Sequence, residues 1–462
     1  MTLIKSVSGI RGIIGSSPGE GLTPIDIVKF VSAYSVLLKR KESKNKPLVV
    51  VGRDARVSGE MVNRVVCGTL MGMGIDVTDL GMAATPTVEI AVTGEKASGG
   101  IVISASHNPQ KWNALKLLNE KGEFLPGPEG EKLLEIAGSE NFKYSGIKYL
   151  GVYNYDDTYN SKHINSVVNL PLVDVEAIKK AKFRIAIDCV NSVGGIVIPS
   201  LLTELGVKEV VELYCTPDGR FPHDPEPLPG HLTSLSECVV REKADLGFAV
   251  DPDVDRLAIV NEDGTMFGEE YTLVAVADYV LKHKKGNTVS NLSSTRALED
   301  ITVKHGGNYY ASAVGEVNVV EEMKRTGAVI GGEGNGGVIY PPSHYGRDAL
   351  VGIALFLSHL ATTMTPTSRL RSKYPDYVMS KNKISLKPQT DIKTLMEKIK
   401  KEYSSFPIRD NDGLRIDFPQ GWVHMRKSNT EPVIRIYSEG RSKKEAEELA
   451  RKMIEEINKL DK

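Results

Sequence analysis

Cysteine is scarce in this chain: four residues in 462 (Cys67, Cys189, Cys215 and Cys238), scattered, with no C-x-x-C pair. That spacing excludes a zinc ribbon and a disulfide frame, and leaves the thiols as small core hydrophobes in a reducing compartment. Net charge is lacking as well. Lys and Arg total 58 against 59 Asp and Glu, a balance of −1, so there is no electrostatic case for nucleic acid or an anionic membrane as the main partner. Long apolar runs are missing too: the most apolar stretch, residues 349–364, is short for a bilayer span and carries Ser358 and His359. The start, MTLIKSVSGIRGIIG, has no apolar core with a cleavage site, so no secretion signal is read and a cytoplasmic location is expected. What is present is ordinary globular composition, 41% hydrophobic and 25% charged. At roughly 150 residues per domain, this length suggests about three domains, with two or four in range.

Apolar strand-like runs alternate with amphipathic stretches along the first half. Residues 47–54 (PLVVVGRD) read as a buried strand entering a polar loop. Residues 58–74 read as a helix with Ser58 as N-cap and Gly72 or Gly74 near its end. The same order of strand, polar loop, helix and closing glycine recurs at 184–206 and, more weakly, at 287–307. Repeated α/β units with mixed or parallel sheets follow. The tyrosine-rich stretch 149–162 reads as a bridge, residues 261–270 as a turn before a helix starting near Tyr271, and 365–377 as a further break. The remainder, with strands GLRIDF and PVIRIYS before a charged helix at 442–460, suggests a smaller α+β domain. The expected divisions are 1–155, 156–262, 263–368 and 369–462.

Four loops hold residues suited to chemistry. In SGGIVISASHNPQKWNALK (98–116) an apolar strand delivers Ser104, Ser106, His107 and Asn108 to a loop halted by Pro109. Small neighbours expose a hydroxyl nucleophile, backbone N–H groups and Asn108 can hold an anionic oxygen, and Lys116 can return as a cation or proton acceptor. In ADLGFAVDPDVDRLAIV (244–260), Asp251, Asp253 and Asp255 stand at alternate positions between two strands. In an extended chain curled by Pro252 they share a face and converge on a hard divalent cation; the plain alternative is an acidic loop paired with Arg256. Glu262 falls at the twelfth position as in an EF-hand, but the sixth is Arg256 rather than glycine and the flanks are strands, so that motif is rejected. In AVIGGEGNGGVIYPPSHYGRD (328–348) a formal G-x-G-x-x-G is followed by VIYPPS, which cannot open the helix a dinucleotide site needs. A turn remains, presenting Glu333 and Asn335 with the chemistry to bind sugar hydroxyls. In GWVHMRKSNTEPVIRIY (421–437), Arg426, Ser428, Asn429 and Thr430 gather in a loop before Pro432, with Arg435 just beyond, a set suited to cradling phosphate.

Together these loops resemble the α-D-phosphohexomutase superfamily over essentially the whole chain. The S-A-S-H-N-P loop resembles the family's phosphoserine loop, which implies Ser106 as the phosphoryl carrier. D-P-D-V-D-R resembles its Mg²⁺ loop, implying that Asp251, Asp253, Asp255 and the serine phosphate hold the metal beside Arg256. G-E-G-N-G resembles its sugar loop, with Glu333 and Asn335 on the sugar. R-K-S-N-T-E-P resembles its phosphate loop, with Arg426, Ser428, Asn429 and Thr430 on the distal phosphate. The G-I-R-G run implies Arg11 as a cation near the reacting phosphate. The resemblance implies three similar mixed α/β domains and a smaller α+β C-terminal domain around a central active-site cleft. It also implies an isomerase that uses Mg²⁺ and a hexose 1,6-bisphosphate intermediate, with Lys116 as candidate general base and His107 as its alternative. One departure stands out: Gly337 occupies a position where many members have histidine, leaving His344 and Arg347 as candidates for that contact. S-G-I-R-G, V-G-E-V-N-V (314–319) and G-E-G-N-G-G are more similar to the archaeal-type branch. Interconversion of glucosamine 6-phosphate and 1-phosphate is the expected reaction. The alternatives are broad phosphoglucomutase/phosphomannomutase activity, a metal-dependent sugar phosphatase, and a silent sugar-phosphate-binding protein, against which the intact serine and aspartates argue.

Overall fold

A computed structural model describes residues 2–6, 9–41, 46–385, 391–427 and 433–460. The chain forms two compact units, Met1–Tyr279 with Asn335–Leu370, and Val280–Gly334 with Arg371–Lys462. The first unit holds a seven-stranded mixed sheet. Its order is Ile4–Ser6, Gly9–Ile13, Trp112–Leu118, Gly99–Ile103, Leu48–Arg53, Asp76–Met82, Tyr153–Tyr155. The central strands Leu48–Arg53 and Gly99–Ile103 run parallel, and are apolar up to the terminal Arg53 because helices cover both faces. Val49, Val51, Ile101 and Ile103 pack with Phe30, Tyr34, Val62 and Leu70. The alternate residues Val50 and Val102 pack on the opposite face with Val88, Ala91 and Val92. Because the two strands are neighbours and parallel, the loops leaving their C-terminal ends, 54–56 and 104–108, lie side by side.

A second sheet has the order Leu257–Asn261, Leu246–Val250, Arg184–Asp188, Glu209–Leu213. Leu246–Val250 is parallel to Arg184–Asp188 and antiparallel to Leu257–Asn261, so residues 251–256 turn the chain back at one sheet end. The apolar stretch near residue 350 is a buried helix, Ala349–Thr363, whose Phe356 ring meets Phe248 and Phe267 edge-on at 6.1 and 5.3 Å. Asp348 caps it, accepting from the N–H groups of Leu350 and Val351. Among the described residues no helix is long and apolar enough to cross a membrane.

In the second unit, strand Thr288–Asn291 lies parallel between Tyr309–Ser312 and Ile330–Glu333, with helices Ala297–Lys304 and Glu316–Thr326. A five-stranded antiparallel sheet follows, ordered Val378–Ser385, Val433–Gly440, Gly421–Lys427, Leu414–Phe418, Ile408–Arg409, with helices Ile392–Glu402 and Lys443–Leu460. All three expected strand–helix repeats are present.

Two local expectations need correction, and a third gains detail. Ser58 precedes helix Gly59–Gly72 but makes no side-chain cap; its hydroxyl instead accepts from the Asn113 amide at 2.9 Å. The stretch 149–162 carries structure of its own: Tyr153–Tyr155 adds an edge strand to the first sheet before helix Tyr159–Val168 begins. Residues 421–427 form a strand rather than part of a loop, so Arg426 is strand-borne.

Candidate active site

Ser106 stands in the loop that leaves strand Gly99–Ile103 and adopts a left-handed backbone, φ 48°. For a residue with a side chain that conformation is held only by strong surroundings. The Ser106 N–H donates to the Ser104 hydroxyl at 2.9 Å, and that hydroxyl donates to Asp54 at 2.7 Å. Arg56, itself buried, donates to the carbonyls of Ser106, Asn108, Pro109 and Trp112 at 2.5, 2.6, 2.8 and 3.0 Å, and pairs with Asp54 at 3.0 Å. The Phe221 ring lies against its guanidinium, 5.0 Å away. The outcome is a hydroxyl aimed at the second sheet: Ser106 Oγ donates to Asp251 Oδ2 at 2.5 Å.

Asp251, Asp253 and Asp255 are fully buried, and one oxygen of each lies within 4.8 Å of the others. They converge through a tight turn rather than an extended segment: Val254 is left-handed, φ 62°, and its N–H bonds the Asp251 carbonyl. The N–H groups of Asp255 and Arg256 then point back at Asp251 Oδ1, at 3.1 and 3.2 Å. Burial and the charges of Asp255 and Asp253 push the Asp251 carboxyl well up. Asp253 goes the other way: burial opposes, but the Lys116 charge and hydrogen bond hold it below the usual carboxylate range. Asp253 Oδ1 and Asp255 Oδ1 are buried with no hydrogen-bond partner. Two orphaned carboxylate oxygens in an all-oxygen donor set fit a hard divalent cation.

Cations ring this cluster. Lys116, on strand Trp112–Leu118, lies 2.5 Å from Asp253 and 3.5 Å from Asp255. Burial alone would lower its pKa, yet the two carboxylates raise it, so it carries its proton. Arg256 Nε is 3.7 Å from Asp255 Oδ1, and Arg347 Nη2 is 2.7 Å from Asp255 Oδ2. His107 Nδ1 lies 3.4 Å from Ser106 Oγ; burial, followed by the charges of Arg256 and Arg347, drives its pKa down to about 2, so the ring is neutral. Arg11, in register with Ala114 on the neighbouring strand, adds to that field. The two candidates for the contact vacated at Gly337 part company. Arg347 reaches the carboxylate cluster, whereas His344 turns into a buried group, 3.2 Å from both Glu89 and Asp348, sharing Asp348 Oδ2 with His163 at 2.9 Å.

In the second unit, Glu333 is buried and its Oε1 accepts from Asn291 at 2.9 Å and from the Gly315 N–H at 3.2 Å. Asn335, in the first unit, accepts from the Gly337 N–H at 3.3 Å. Arg426 lies opposite Arg435 on adjacent strands and 3.5 Å from Asp412. Ser428, Asn429 and Thr430 lie outside the described residues.

Four family models match the chain in order. These are phosphoglucomutase/phosphomannomutase alpha/beta/alpha domain I over residues 3–144, domain II over 161–264, domain III over 268–377, and the C-terminal domain over 383–456. The chain belongs to the phosphoglucomutase/phosphomannomutase family. A phosphoglucomutase/phosphomannomutase of Thermococcus kodakarensis is 37% identical over 98% of both chains. A probable phosphoglucosamine mutase of Methanopyrus kandleri is 32% identical over 98% of this chain and 97% of its own. A crystal structure of a phosphoglucomutase/phosphomannomutase family protein from Burkholderia thailandensis superimposes with a TM-score of 0.85 at 26% identity, covering 98% of this chain and 96% of that one. The architecture is therefore that of a phosphohexomutase: three α/β/α domains and a smaller C-terminal domain.

Sequence reasoning about this phosphohexomutase missed Asp54, Arg56 and Thr85. The signal for the first two was G-R-D-A-R at 52–56, charged residues abutting an apolar buried strand. Thr85 starts helix Thr85–Gly94; its N–H donates to the Asp253 carbonyl at 2.9 Å and its hydroxyl to Asp253 Oδ2 at 2.5 Å. No local pattern marks a threonine 168 positions from its partner.

Proposed function

We propose that the protein interconverts glucosamine 6-phosphate and glucosamine 1-phosphate through a phosphorylated Ser106 and a 1,6-bisphosphate. The observation that carries this is the Ser106 hydroxyl, fixed in a left-handed turn and hydrogen-bonded to Asp251 within a ring of cations. In the first half-reaction the free hydroxyl of the sugar phosphate attacks phosphorus. A new sugar O–P bond forms as the P–Oγ bond to Ser106 breaks; Lys116, which carries its proton, gives it to the departing serine oxygen and is reprotonated by the sugar hydroxyl, or, as the alternative, neutral His107 takes the hydroxyl proton and passes it to that oxygen. The second half-reaction is the reverse with the other phosphate, so each turnover restores phosphoserine.

Asp251, Asp253 and Asp255, with a phosphoseryl oxygen, would hold Mg²⁺, which when bound neutralises charge on the phosphoryl group. Arg11 and Arg256 supply fixed positive charge to the same oxygens. Glu333 and Asn335 are assigned to the sugar hydroxyls, and Arg426, Ser428, Asn429, Thr430 and Arg435 to the distal phosphate.

A broader phosphoglucomutase/phosphomannomutase activity is the second reading, favoured by the name of the Thermococcus kodakarensis relative. ³¹P NMR with Mg²⁺, a trace of hexose 1,6-bisphosphate and each 6-phosphate sugar in turn separates the two. The 1-phosphate should appear fastest from glucosamine 6-phosphate and not at all with Ser106→Ala. Faster glucose or mannose turnover would replace the substrate and keep the mutase. Inorganic phosphate with no 1-phosphate from any sugar would make the protein a phosphatase.

A further inference from the structure

Arg347 is mounted on a rigid support. The next residue's N–H, that of Asp348, donates to the Val338 carbonyl at 2.9 Å, and the N–H of Ala349 donates to the carbonyl of Val254, inside the aspartate turn, at 3.2 Å. Asp348 itself caps the buried helix that follows. From this base the side chain runs past Gly337 to Asp255. A Cβ at position 337 would stand 2.3 Å from Arg347 Cδ and 3.0 Å from Cγ, so the stem occupies the space that glycine leaves. The obstruction would be the middle of the arginine stem, which cannot give way without moving the guanidinium.

Asp255 does not need this partner for its own neutrality. Lys116 lies 3.5 Å from the same oxygen, Oδ2, and Arg256 3.7 Å from Oδ1. A third cation on one carboxylate, carrying a planar fork of donors, suits a tetrahedral anion better than a pairing already made.

We propose that Arg347 is a phosphoryl-binding residue of the Ser106 centre, resting on Asp255 when no phosphoryl group is present, and that Gly337 is the opening through which it reaches. This rests on the phosphoserine reading above. The guanidinium rests on an oxygen of the carboxylate group assigned to the divalent cation, so its release to the phosphoryl oxygens accompanies loading of the site. The residue therefore favours phosphoryl transfer while competing with metal for Asp255 Oδ2.

That opposition gives a signature that a merely structural brace lacks. Arg347→Met should slow phosphorylation of Ser106 by a hexose 1,6-bisphosphate about 100-fold, the scale of losing one preorganised donor to a developing charge. Mn²⁺ affinity of the unphosphorylated protein, read by EPR, should stay equal or tighten. Gly337→Ala keeps the arginine but pushes its stem, and with it the guanidinium, off this path, and should reproduce both effects. The double variant should be no slower than Arg347→Met, because the two substitutions remove one interaction. Weakened Mn²⁺ binding in step with the lost rate would reduce Arg347 to a brace and overturn the proposal, as would wild-type transfer by either variant. A wild-type protein that never takes a phosphoryl group on Ser106, by intact-mass measurement, would defeat the mutase reading instead. Arg347 would then be judged by calorimetry with inorganic phosphate and Mn²⁺: binding at least tenfold weaker in Arg347→Met sustains it, and equal binding refutes it.

Discussion

Replacing Arg56 by methionine tests whether the nucleophile is placed by a buried clamp rather than by its own loop. Methionine keeps most of the stem volume and removes every donor. Four backbone carbonyls, those of Ser106, Asn108, Pro109 and Trp112, lose the guanidinium, that of Pro109 keeping the Trp112 N–H, and Asp54 is left buried without its cation. Breaking one side of a buried pair costs about 3–5 kcal/mol, and each abandoned carbonyl adds up to about 1 kcal/mol where the loop cannot turn to water. Against this, the left-handed conformation of Ser106 holds about 1–3 kcal/mol of strain that the loop recovers by relaxing. The balance favours a loop that lets go of its geometry while the sheets around it persist. A nucleophile displaced by about 1 Å loses about 100-fold in rate, so kcat should fall by at least that factor. KM for the sugar phosphate should hardly move, because the guanidinium is spent on Asp54 and the carbonyls of the serine loop. Arg56→Lys should fail to rescue, since one ammonium cannot reach four carbonyls. The assays are steady-state mutase kinetics and a thermal unfolding scan. Unchanged kcat in Arg56→Met, or full rescue by lysine, would refute the clamp.

Three further outcomes are expected. His344 lies between Asp348 and Glu89; burial pulls its pKa down, but the hydrogen bonds and charges of those two carboxylates raise it from 6.5 to about 10. Its contribution, on the order of 2–4 kcal/mol, is therefore complete below about pH 6.5 and lost as pH rises through about 10; thermal midpoints measured from pH 6 to 10 should fall, and His344→Gln should flatten that fall. Chelation should stop turnover and Mg²⁺ restore it, while Asp255→Asn should weaken Mn²⁺ binding at least tenfold by EPR; retained affinity would remove Asp255 from the metal set. Phosphorylated Ser106 should bind Mn²⁺ more tightly than the unphosphorylated protein, and equal affinities would argue that the phosphoryl oxygen is not a ligand.

Contiguous chemistry was legible before the structure. Asp251, Asp253 and Asp255, two positions apart, do cluster, and Ser106, at the end of an apolar strand among small residues, does present its hydroxyl beside them. The backbone that brings the carboxylates together was not legible. An extended segment was expected, and the chain instead makes a turn with Val254 left-handed, a conformation that no β-branched residue signals. Ser58 failed as a cap because Asn113, 55 positions away, competes for its hydroxyl. Arg426 was read into a loop because glycine, serine and proline flank its segment, although GWVHMRK pairs on both edges in the C-terminal sheet. Each miss is a tertiary partner overriding a local pattern. Asp54, Arg56 and Thr85 went unread for the same reason: their partners lie 50 to 168 positions distant.

The electrostatics of the centre tie these observations together. Three buried carboxylates face Lys116, Arg256 and Arg347, and Arg11 adds to the same field, so positive charge at least matches negative charge with nothing bound. Adding a divalent cation alone sets positive charge against three existing cations, and adding a phosphoryl dianion alone sets negative charge against three carboxylates. Adding both leaves the balance where it began. In a site this dry, either single addition is far more costly than the pair, so each ligand raises affinity for the other by the same factor. The arrangement thus resists taking metal without a phosphoryl group, and holds the two together once it has both. On the proposed phosphoserine mechanism, release of bisphosphate from such a centre competes with return of a phosphoryl group to Ser106, and the coupling tilts that competition toward return, as a mutase requires and a phosphatase does not.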